Sequence, residues 1–331
     1  MPDVHVVFGT GAIGLALIDE LAARELRVRA ISRSGRAQVP EGVEVIAGDA
    51  SNPQFAAQAA DDAEVIYQCL NPPYHHWVEL FPPLQNAVVH AARASRARYV
   101  SFENTYMYGD TGGKPLTELT PMHAETRKGK VRLAMARQLS ELHHAGDLCV
   151  ATARASDYFG PRATSQSPLG DVVIRAAMAG RRARVIGDPD QPHSYTYTID
   201  AARTLATLGT RDDVLGEVFH VPNAPAQTTR QIISTISAEL GSRIRVSVAP
   251  RLLLRLIGLL DPTIRELDEM LYEFTQPFIV DSTKAQARLG IEPTRLGDAI
   301  ALTVGWFRAR DANNRSPRQH RGEHSDPAQQ Q

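Results

Sequence analysis

The sequence predicts an α/β fold: a doubly wound parallel sheet of the Rossmann type, followed by a smaller, discontinuous C-terminal lobe. Three observations predict it. Short apolar runs rich in Val, Ile and Tyr lack polar alternation, as expected for parallel strands covered on both faces. Segments with helical patterning separate these runs. A glycine-rich turn joins the first run to the first helical segment.

The first half of the chain contains six predicted strands and four predicted helices. The strands are Val4–Phe8, Val28–Ser32, Val43–Ala47, Val65–Leu70, Tyr99–Phe102 and Leu148–Arg154. The helices are Gly14–Arg24, Pro53–Ala60, Pro82–Ala94 and Lys128–Ala145. Strand–helix alternation of this kind predicts a doubly wound α/β fold.

Composition and charge exclude several classes of protein. Of 331 residues, 43% are hydrophobic and the formal net charge is −1. The chain therefore has no overall positive charge that would favour binding to nucleic acid or an anionic membrane. Cys69 and Cys149 are too few for a disulfide framework and lack metal-ligand spacing. The start has no signal-peptide pattern, and no apolar run approaches the roughly 20 residues that span a bilayer. We therefore expect a cytoplasmic protein with no metal site and no membrane or nucleic-acid partner.

The glycine-rich turn predicts a dinucleotide site. It comprises Gly9, Thr10, Gly11, Ala12, Ile13 and Gly14, directly after the first strand. Gly9 permits the tight turn, Gly11 lets the backbone approach a pyrophosphate, and Gly14 lets the helix pack close to the sheet. The free N–H groups and positive dipole end of the helix would hold the pyrophosphate.

The end of the second strand predicts the choice of cofactor. An acidic residue there usually binds the ribose 2′-hydroxyl of NAD, but this strand ends in Ser32 and Arg33. A guanidinium can instead hold a 2′-phosphate through two hydrogen bonds. The sequence therefore favours NADP over NAD.

Further motifs resemble those of the extended short-chain dehydrogenase/reductase superfamily, which includes sugar-nucleotide epimerases. The resemblance runs from about Val4 to Phe307. It includes the segments Gly48–Asp49, Leu70–Pro72, Tyr99–Gly109, Arg154–Pro161 and Asp281–Lys284. In this family the segment Tyr99–Gly109 resembles the strand and loop that bring the catalytic serine or threonine, and Asp281–Lys284 resembles a C-terminal signature. The other segments resemble those that contact the cofactor, so the resemblance implies cofactor contacts for Asp49, Ala50, Leu70, Asn71, Pro72, Ala155 and Ser156.

The catalytic helix departs from the family pattern, in which a tyrosine precedes a lysine by four residues. The lysine lowers the pKa of the phenol and holds the nicotinamide ribose. Here the matching positions hold Thr126 and Lys130, and the family's serine position holds Asn104, with Thr105 adjacent. We expect Lys130 to hold the ribose, and Asn104, Thr105 or Thr126 to contact the substrate oxygen.

The missing phenol leaves several functions open. An atypical oxidoreductase or epimerase could relay the proton through Tyr106, Tyr108 or His123. A non-catalytic NADP-binding regulator is the first alternative. A nucleotide-sugar epimerase or dehydratase is the second, although His193 stands where such enzymes commonly carry an arginine for the diphosphate. The leading hypothesis is an oxidoreductase acting on a small, largely apolar carbonyl or alcohol.

The second half of the chain is assigned mainly to the substrate lobe. Residues 1–160 form the dinucleotide-binding domain, with returns near 183–222 and 278–284, and residues 161–308 form the lobe. Predicted helices include Arg251–Leu260 and Thr263–Glu273, and the last one is Leu296–Arg308. Residues 309–331 are expected to be disordered. The run Leu252–Leu260 fits a core stripe or the face of a homodimer, which is left open.

Overall fold

Residues 4–248, 259 and 268–315 are described by the computed structural model of the protein. The strands in this part of the chain are β1 (Val4–Phe8), β2 (Arg27–Ser32), β3 (Glu44–Ala47), β4 (Ala63–Gln68), β5 (Arg98–Glu103), β6 (Val150–Arg154), β7 (Tyr158–Phe159), β8 (Ala183–Val185), β9 (Pro192–His193), β10 (Thr196–Tyr197), β11 (Val218–His220), β12 (Gln227–Thr228) and β13 (Val246–Val248). Each predicted strand of the first half is present, with ends that differ by at most two residues.

The helices of the described residues lie between the strands in sequence and continue after the last strand of the sheet. They are α1 (Ala12–Ala23), α2 (Pro53–Ala59), α3 (Trp77–Ser95), α4 (Arg127–His144), α5 (Ala176–Met178), α6 (Thr198–Thr210), α7 (Thr229–Leu240), α8 (Tyr272–Thr275), α9 (Thr283–Leu289) and α10 (Leu296–Arg315). A π-helical segment, Gly170–Arg175, leads into α5.

Seven parallel strands form the central sheet in the order β3-β2-β1-β4-β5-β6-β11. One face packs against α1 and α6 through residues such as Leu17 and Leu205. The other packs against α2, α3 and α4 through residues such as Val88 and Leu139. The chain reverses its winding direction between β1 and β4, which opens a crevice at their carboxyl ends. The predicted doubly wound Rossmann sheet is confirmed.

The C-terminal lobe has a hydrophobic core of its own. Buried side chains from the π-helical segment, α7 and α10, among them Val173, Ile236 and Phe307, pack together there. Strand β11 belongs to the main sheet and α6 packs against it, although both lie between segments of the lobe in sequence. The lobe is therefore discontinuous in sequence, as predicted. The exact residue boundaries of the two units stay a prediction.

Two predicted helix ends are wrong. Helix α3 begins at Trp77, five residues before the predicted Pro82, because Trp77 and Phe81 are buried and offset the backbone hydrogen bonds lost at the two prolines. Helix α10 continues to Arg315, so the first seven residues of the predicted tail are helical. Residues 316–331, the predicted helix Arg251–Leu260 apart from Leu259, and residues 263–267 lie outside the described residues. The rest of the predicted helix Thr263–Glu273 is a 3-10 turn, Asp268–Met270, followed by the start of α8.

Candidate functional site

The turn between β1 and α1 leaves the amides at the start of the helix open. Gly9 has a φ of +105°, and a Cβ there would lie 2.8 Å from the backbone carbonyl of Cys69. A Cβ at Gly14 would lie 1.9 Å from the carbonyl oxygen of Gly9. A Cβ at Gly11 would meet no atom within 4 Å, and Gly11 is the N-cap of α1 with no side-chain cap. Open space therefore faces uncapped amides, as an anion requires.

The loop after β4 borders this turn. The backbone N of Leu70 would lie 3.0 Å from a Cβ at Gly9, so the two segments touch. The N–H of Leu70 donates to the side chain of Gln68 (2.6 Å), and the carbonyl of Pro72 accepts from the indole of Trp77 (3.1 Å). Asn71 is exposed between them. The structure thus brings Leu70, Asn71 and Pro72 to the crevice beside the glycines, while Thr10 is half-buried and Ala12 and Ile13 are buried at the base of α1.

The ends of β2 and β3 place a cation near an anion. The Arg33 side chain is exposed, and no hydrogen bond or ion pair engages it within the described residues. Asp49 accepts hydrogen bonds from the backbone N–H and the hydroxyl of Ser51, and these, aided by the charge of Arg33, lower its pKa. Ser32 accepts from the N–H of Gly35 (3.1 Å), and Ala50 is buried. Arg33 is available to a phosphate.

Thr126 and Lys130 lie away from the buried face of α4, and their predicted roles stay a prediction. Thr126 is the N-cap of α4, where its hydroxyl accepts from the N–H of Gly129 (3.1 Å). Lys130 is exposed and lines a groove between α3 and α4 on the outer side. Residues two apart on a helix point in nearly opposite directions, so the face turned toward the sheet carries Lys128 and Arg132 instead. These side chains are 1% and 2% exposed.

Lys128 and Arg132 have the four-residue spacing expected of the catalytic pair, but neither is a phenol. The Lys128 ammonium lies 3.3 Å from a carboxyl oxygen of Glu269 and 4.2 Å from the centre of the Tyr74 ring. The Arg132 guanidinium lies 3.7 Å from a carboxyl oxygen of Glu103 and stacks over Phe81. The helix therefore presents two cations at the carboxyl edge of the sheet.

Two phenols lie beside Lys128. The Tyr74 and Tyr106 hydroxyl oxygens are 3.4 Å apart, in the turns that follow β4 and β5. Burial raises the pKa of both phenols well above the ordinary value, so they stay protonated at neutral pH. Asn104 is half-buried with its amide oxygen accepting from the N–H of Tyr106 (3.3 Å), and Thr105 is buried. Asn104 and Thr105 therefore lie at this edge, next to a phenol.

The other suggested proton relays lie elsewhere. Tyr108 is 2% exposed and contacts His220 (2.8 Å) and Arg154 (2.9 Å), so it ties the loop to neighbouring strands. His123 is exposed, 3.7 Å from Glu125. Ala155 is buried, and the hydroxyl of Ser156 donates to the carbonyl of Ser194 (2.5 Å), so Ser156 joins β6 to the lobe rather than offering its hydroxyl to a cofactor.

An acid cluster that the sequence did not predict completes the site. Asp157, which follows β6, lies 3.0 Å from Nε2 of His193. The Nδ1 of the same ring lies 3.1 Å from the backbone carbonyl oxygen of Glu273. Glu273 is 2% exposed, and burial followed by the negative charge of Asp157 raises its pKa well above the ordinary value. Of these three residues, Asp157 and His193 lie at positions that the resemblance related to the family's site, whereas Glu273 was predicted only as the end of a helix.

Two searches of the described residues gave negative results. No group of three or more His, Cys, Asp or Glu side chains in that part of the chain is arranged to hold a metal ion. Among the same residues, no helix combines the length and apolar character needed to cross a membrane.

Comparisons with known proteins agree on the fold and the family. A search of curated proteins finds no match. The solved structure of the dTDP-glucose 4,6-dehydratase DesIV from Streptomyces venezuelae, with NAD bound, superposes with a TM-score of 0.76 at 16% identity, covering 93% of this chain and 98% of that one. Epimerase Mth375 from Methanothermobacter thermautotrophicus gives 0.79 at 16% identity and 95% of each chain.

A third structure is similar, and a family model matches. The UDP-N-acetylglucosamine 4-epimerase from Methanobrevibacter ruminantium, in complex with UDP-N-acetylmuramic acid, gives a TM-score of 0.77 at 18% identity, covering 94% of this chain and all of that one. The model of the NAD dependent epimerase/dehydratase family matches residues 5–221. The glycine turn, the seven-stranded sheet and this match together place the chain in the NAD dependent epimerase/dehydratase family.

Proposed function

We propose that the protein is an NAD(P)-dependent oxidoreductase or epimerase that interconverts an alcohol and a carbonyl on its substrate. The observation that carries this proposal is the uncapped start of α1, where Gly11 leaves open space in front of the amides. It lies at the switch point of the sheet, where α/β proteins bind ligands. A bound nicotinamide would accept or supply the hydride, and the chain would bind, orient and protonate the substrate.

Different residues of the chain would hold the cofactor and the substrate. Amides at the start of α1 would hold the diphosphate, with the Leu70–Pro72 loop beside them. Tyr106 and Asn104, at the end of β5, lie where a substrate oxygen would meet donors. Lys128 adds a positive charge that would stabilise an oxyanion as the carbonyl is reduced.

The choice between NADP and NAD depends on Arg33. Its exposed guanidinium stands where the 2′-phosphate of NADP would lie, and β2 ends without a carboxylate. The DesIV structure contains NAD, which keeps NAD as the second candidate. We propose NADP because an exposed guanidinium that makes no hydrogen bond or ion pair with the described residues favours a doubly charged phosphate.

Two substrate classes compete. The similar structures of nucleotide-sugar enzymes favour a nucleotide sugar. The surroundings of His193 favour a substrate with no diphosphate at this point, because its ring lies between Phe274 and Phe278 and both ring nitrogens face oxygen acceptors of the chain. The carboxyl group of Asp157 would also repel an anion there. We therefore keep a small, largely apolar carbonyl or alcohol as the leading substrate class.

Calorimetry with one charge-changing variant tests the cofactor site. Gly11→Asp supplies a side-chain cap to α1, which should maintain or raise stability, but it places a carboxylate where the diphosphate would sit. We expect affinity for NADP(H) and NAD(H) to fall at least tenfold. Gly297→Asp is the control, because Gly297 lies in the first turn of α10 and also has open space around it.

The outcomes separate the candidate functions. Binding of neither dinucleotide by the folded wild-type protein would refute the proposal. Binding followed by reduction of simple aldehydes or ketones supports the leading substrate class. Binding followed by turnover of UDP- or dTDP-sugars alone supports the nucleotide-sugar candidate. Binding without turnover of any substrate supports the non-catalytic regulator.

A further inference from the structure

We propose that Glu273 is the acid that exchanges a proton with the substrate oxygen, in the role that the family gives to a phenol on the catalytic helix. This inference rests on the proposed function, since it concerns the same alcohol–carbonyl interconversion. It arises from two observations on α4 and the residues near it. Helix α4 has no tyrosine on the buried face that carries Lys128 and Arg132, and the buried side chain of Glu273 lies near the same edge of the sheet.

The fold brings Glu273 to the carboxyl ends of three central strands. It belongs to the short helix α8, far from the Rossmann domain in sequence. In the turn just before α8, Glu269 lies 3.3 Å from Lys128, whose ammonium lies over Tyr74 in the turn after β4, and the Tyr74 hydroxyl lies 3.4 Å from that of Tyr106, after β5. The carbonyl oxygen of Glu273 lies 3.1 Å from His193, whose other ring nitrogen lies 3.0 Å from Asp157, after β6. The carboxyl ends of β4, β5 and β6 border the crevice where this fold binds substrate, so Glu273 lies at the reacting end of the site.

Neighbouring residues fix the backbone of Glu273, and its side chain is buried beside them. Its carbonyl oxygen is hydrogen-bonded to Nδ1 of His193, whose ring stacks against Phe274 (5.0 Å) and Phe278 (5.1 Å). Within the described residues, no hydrogen bond or ion pair engages the Glu273 carboxyl oxygens, although the side chain is 2% exposed. A buried carboxyl group without a partner is costly as an anion, which favours its protonated form.

The His193–Asp157 pair holds a proton next to this acid. Both nitrogens of His193 face oxygens, a backbone carbonyl and a carboxyl group. A carbonyl oxygen can only accept, so Nδ1 must carry a hydrogen. The Nε2–Asp157 contact then requires a second proton, carried either by the imidazole or by the carboxyl group. The His193–Asp157 contact therefore contains a proton, next to the backbone carbonyl of Glu273.

The other charged and titratable groups around the site do not fill this role. Tyr74, Tyr106 and Tyr272 are held protonated by burial, so they can donate hydrogen bonds but cannot act as bases near neutral pH. Lys128 is paired with Glu269 and lies over Tyr74. Glu273 is the carboxylic acid of this group whose raised pKa suits reversible proton transfer.

The step balances in both directions. In reduction, the C=O π bond breaks as the carbonyl carbon receives the hydride from the reduced dinucleotide and its oxygen receives the proton of Glu273. A new C–H and a new O–H bond form, and Glu273 is left as a carboxylate. It recovers a proton from solvent or from the Asp157–His193 pair. In oxidation, the Glu273 carboxylate removes the alcohol proton as the hydride leaves the carbon.

Infrared spectroscopy tests the protonation state without cofactor or turnover. A protonated carboxyl group has a C=O band distinct from that of a carboxylate. We expect the wild-type protein at pH 7 to show a protonated band that is absent from Glu273→Gln. Glu239→Gln is the control, because Glu239 lies near the surface beside Arg308. Absence of a Glu273-dependent band at pH 7 would overturn the proposal.

Kinetics with p-nitrobenzaldehyde and butane-2,3-dione as probes tests the role in catalysis. We expect Glu273→Gln to lower kcat by about 100-fold or more and to remove the alkaline limb of the kcat/KM profile for reduction, with cofactor affinity unchanged. Unchanged kcat and pH profile would overturn the proposal, as would failure of the dinucleotide-bound wild type to reduce either probe. Failure to bind the dinucleotide would instead refute the proposed function, while the infrared band would remain measurable.

Discussion

Replacing Gly14 with alanine should destabilise the whole Rossmann domain, because the added carbon collides with the backbone. The new Cβ would lie 1.9 Å from the carbonyl oxygen of Gly9 and 2.9 Å from its carbonyl carbon. An ordinary contact is roughly 1.5 Å longer than the first of these distances. Neither atom belongs to a flexible side chain, so either the turn must move or α1 must lift away from the sheet.

The magnitude follows from two opposing effects. Overpacking a rigid site typically costs 1–3 kcal/mol, and this overlap belongs at the upper end. Alanine gains about 1 kcal/mol over glycine inside a helix, which offsets part of that cost. A displaced α1 would also loosen Leu17, Ile18 and Leu21, which are fully buried. We expect a net loss of about 2 kcal/mol in the free energy of unfolding, or a fall in Tm of roughly 4–8 °C.

Gly11→Ala is the matched control, measured beside Gly14→Ala by urea unfolding and by dinucleotide titration. Its Cβ meets no atom within 4 Å, and its φ of −76° suits alanine, so stability should change by less than about 1 kcal/mol. Dinucleotide affinity should nevertheless fall, because the methyl group lies in the space predicted for the pyrophosphate. Equal stability of Gly14→Ala and wild type would refute the packing argument. Unchanged affinity in Gly11→Ala would refute the location of the pyrophosphate.

Four further predictions test other parts of the site. Arg33→Ala should lower affinity for NADP about tenfold or more and leave affinity for NAD unchanged in the same titration; an unchanged ratio would contradict the phosphate role. Glu103→Gln should reduce unfolding free energy by about 3–5 kcal/mol in urea, because it leaves buried arginines without their counter-charge. Lys128→Met should abolish turnover while Lys130→Met leaves it intact, and the reverse result would restore the pairing expected from sequence. Because the pKa of Glu273 is raised in the folded state, its contribution to stability is complete below pH 4.5 and is lost as pH rises toward the folded-state pKa. Glu273→Gln should therefore flatten the decline of Tm over that pH range. An unchanged slope of Tm against pH would contradict this prediction.

Much of the Rossmann half could be predicted from the sequence because its signals are local. Glycines at three fixed offsets, directly between an apolar strand and a helix, have few alternative explanations. Continuous apolar strands require cover on both faces, so alternation alone predicted the sheet and its winding. Arg33 was predicted from its position at the end of a strand, whereas Asp49 was predicted from the resemblance to the family.

The catalytic edge could not be predicted in this way, because it depends on helix phase and long-range contacts. Counting residues aligned Thr126 and Lys130 with the family's pair. The hydroxyl of Thr126 caps the helix instead, and burial turns Lys128 and Arg132 toward the sheet. No local pattern marks Glu273, whose pKa is raised by burial in the folded chain and then by the negative charge of Asp157.

The sequence by itself determined the parallel sheet, the open glycine turn and the family, because each depends on residues close together in the chain. Tertiary structure alone decided which side chains meet at the carboxyl edge. The direction in which a helical residue points, and the charge it carries when buried, are set by what packs against it.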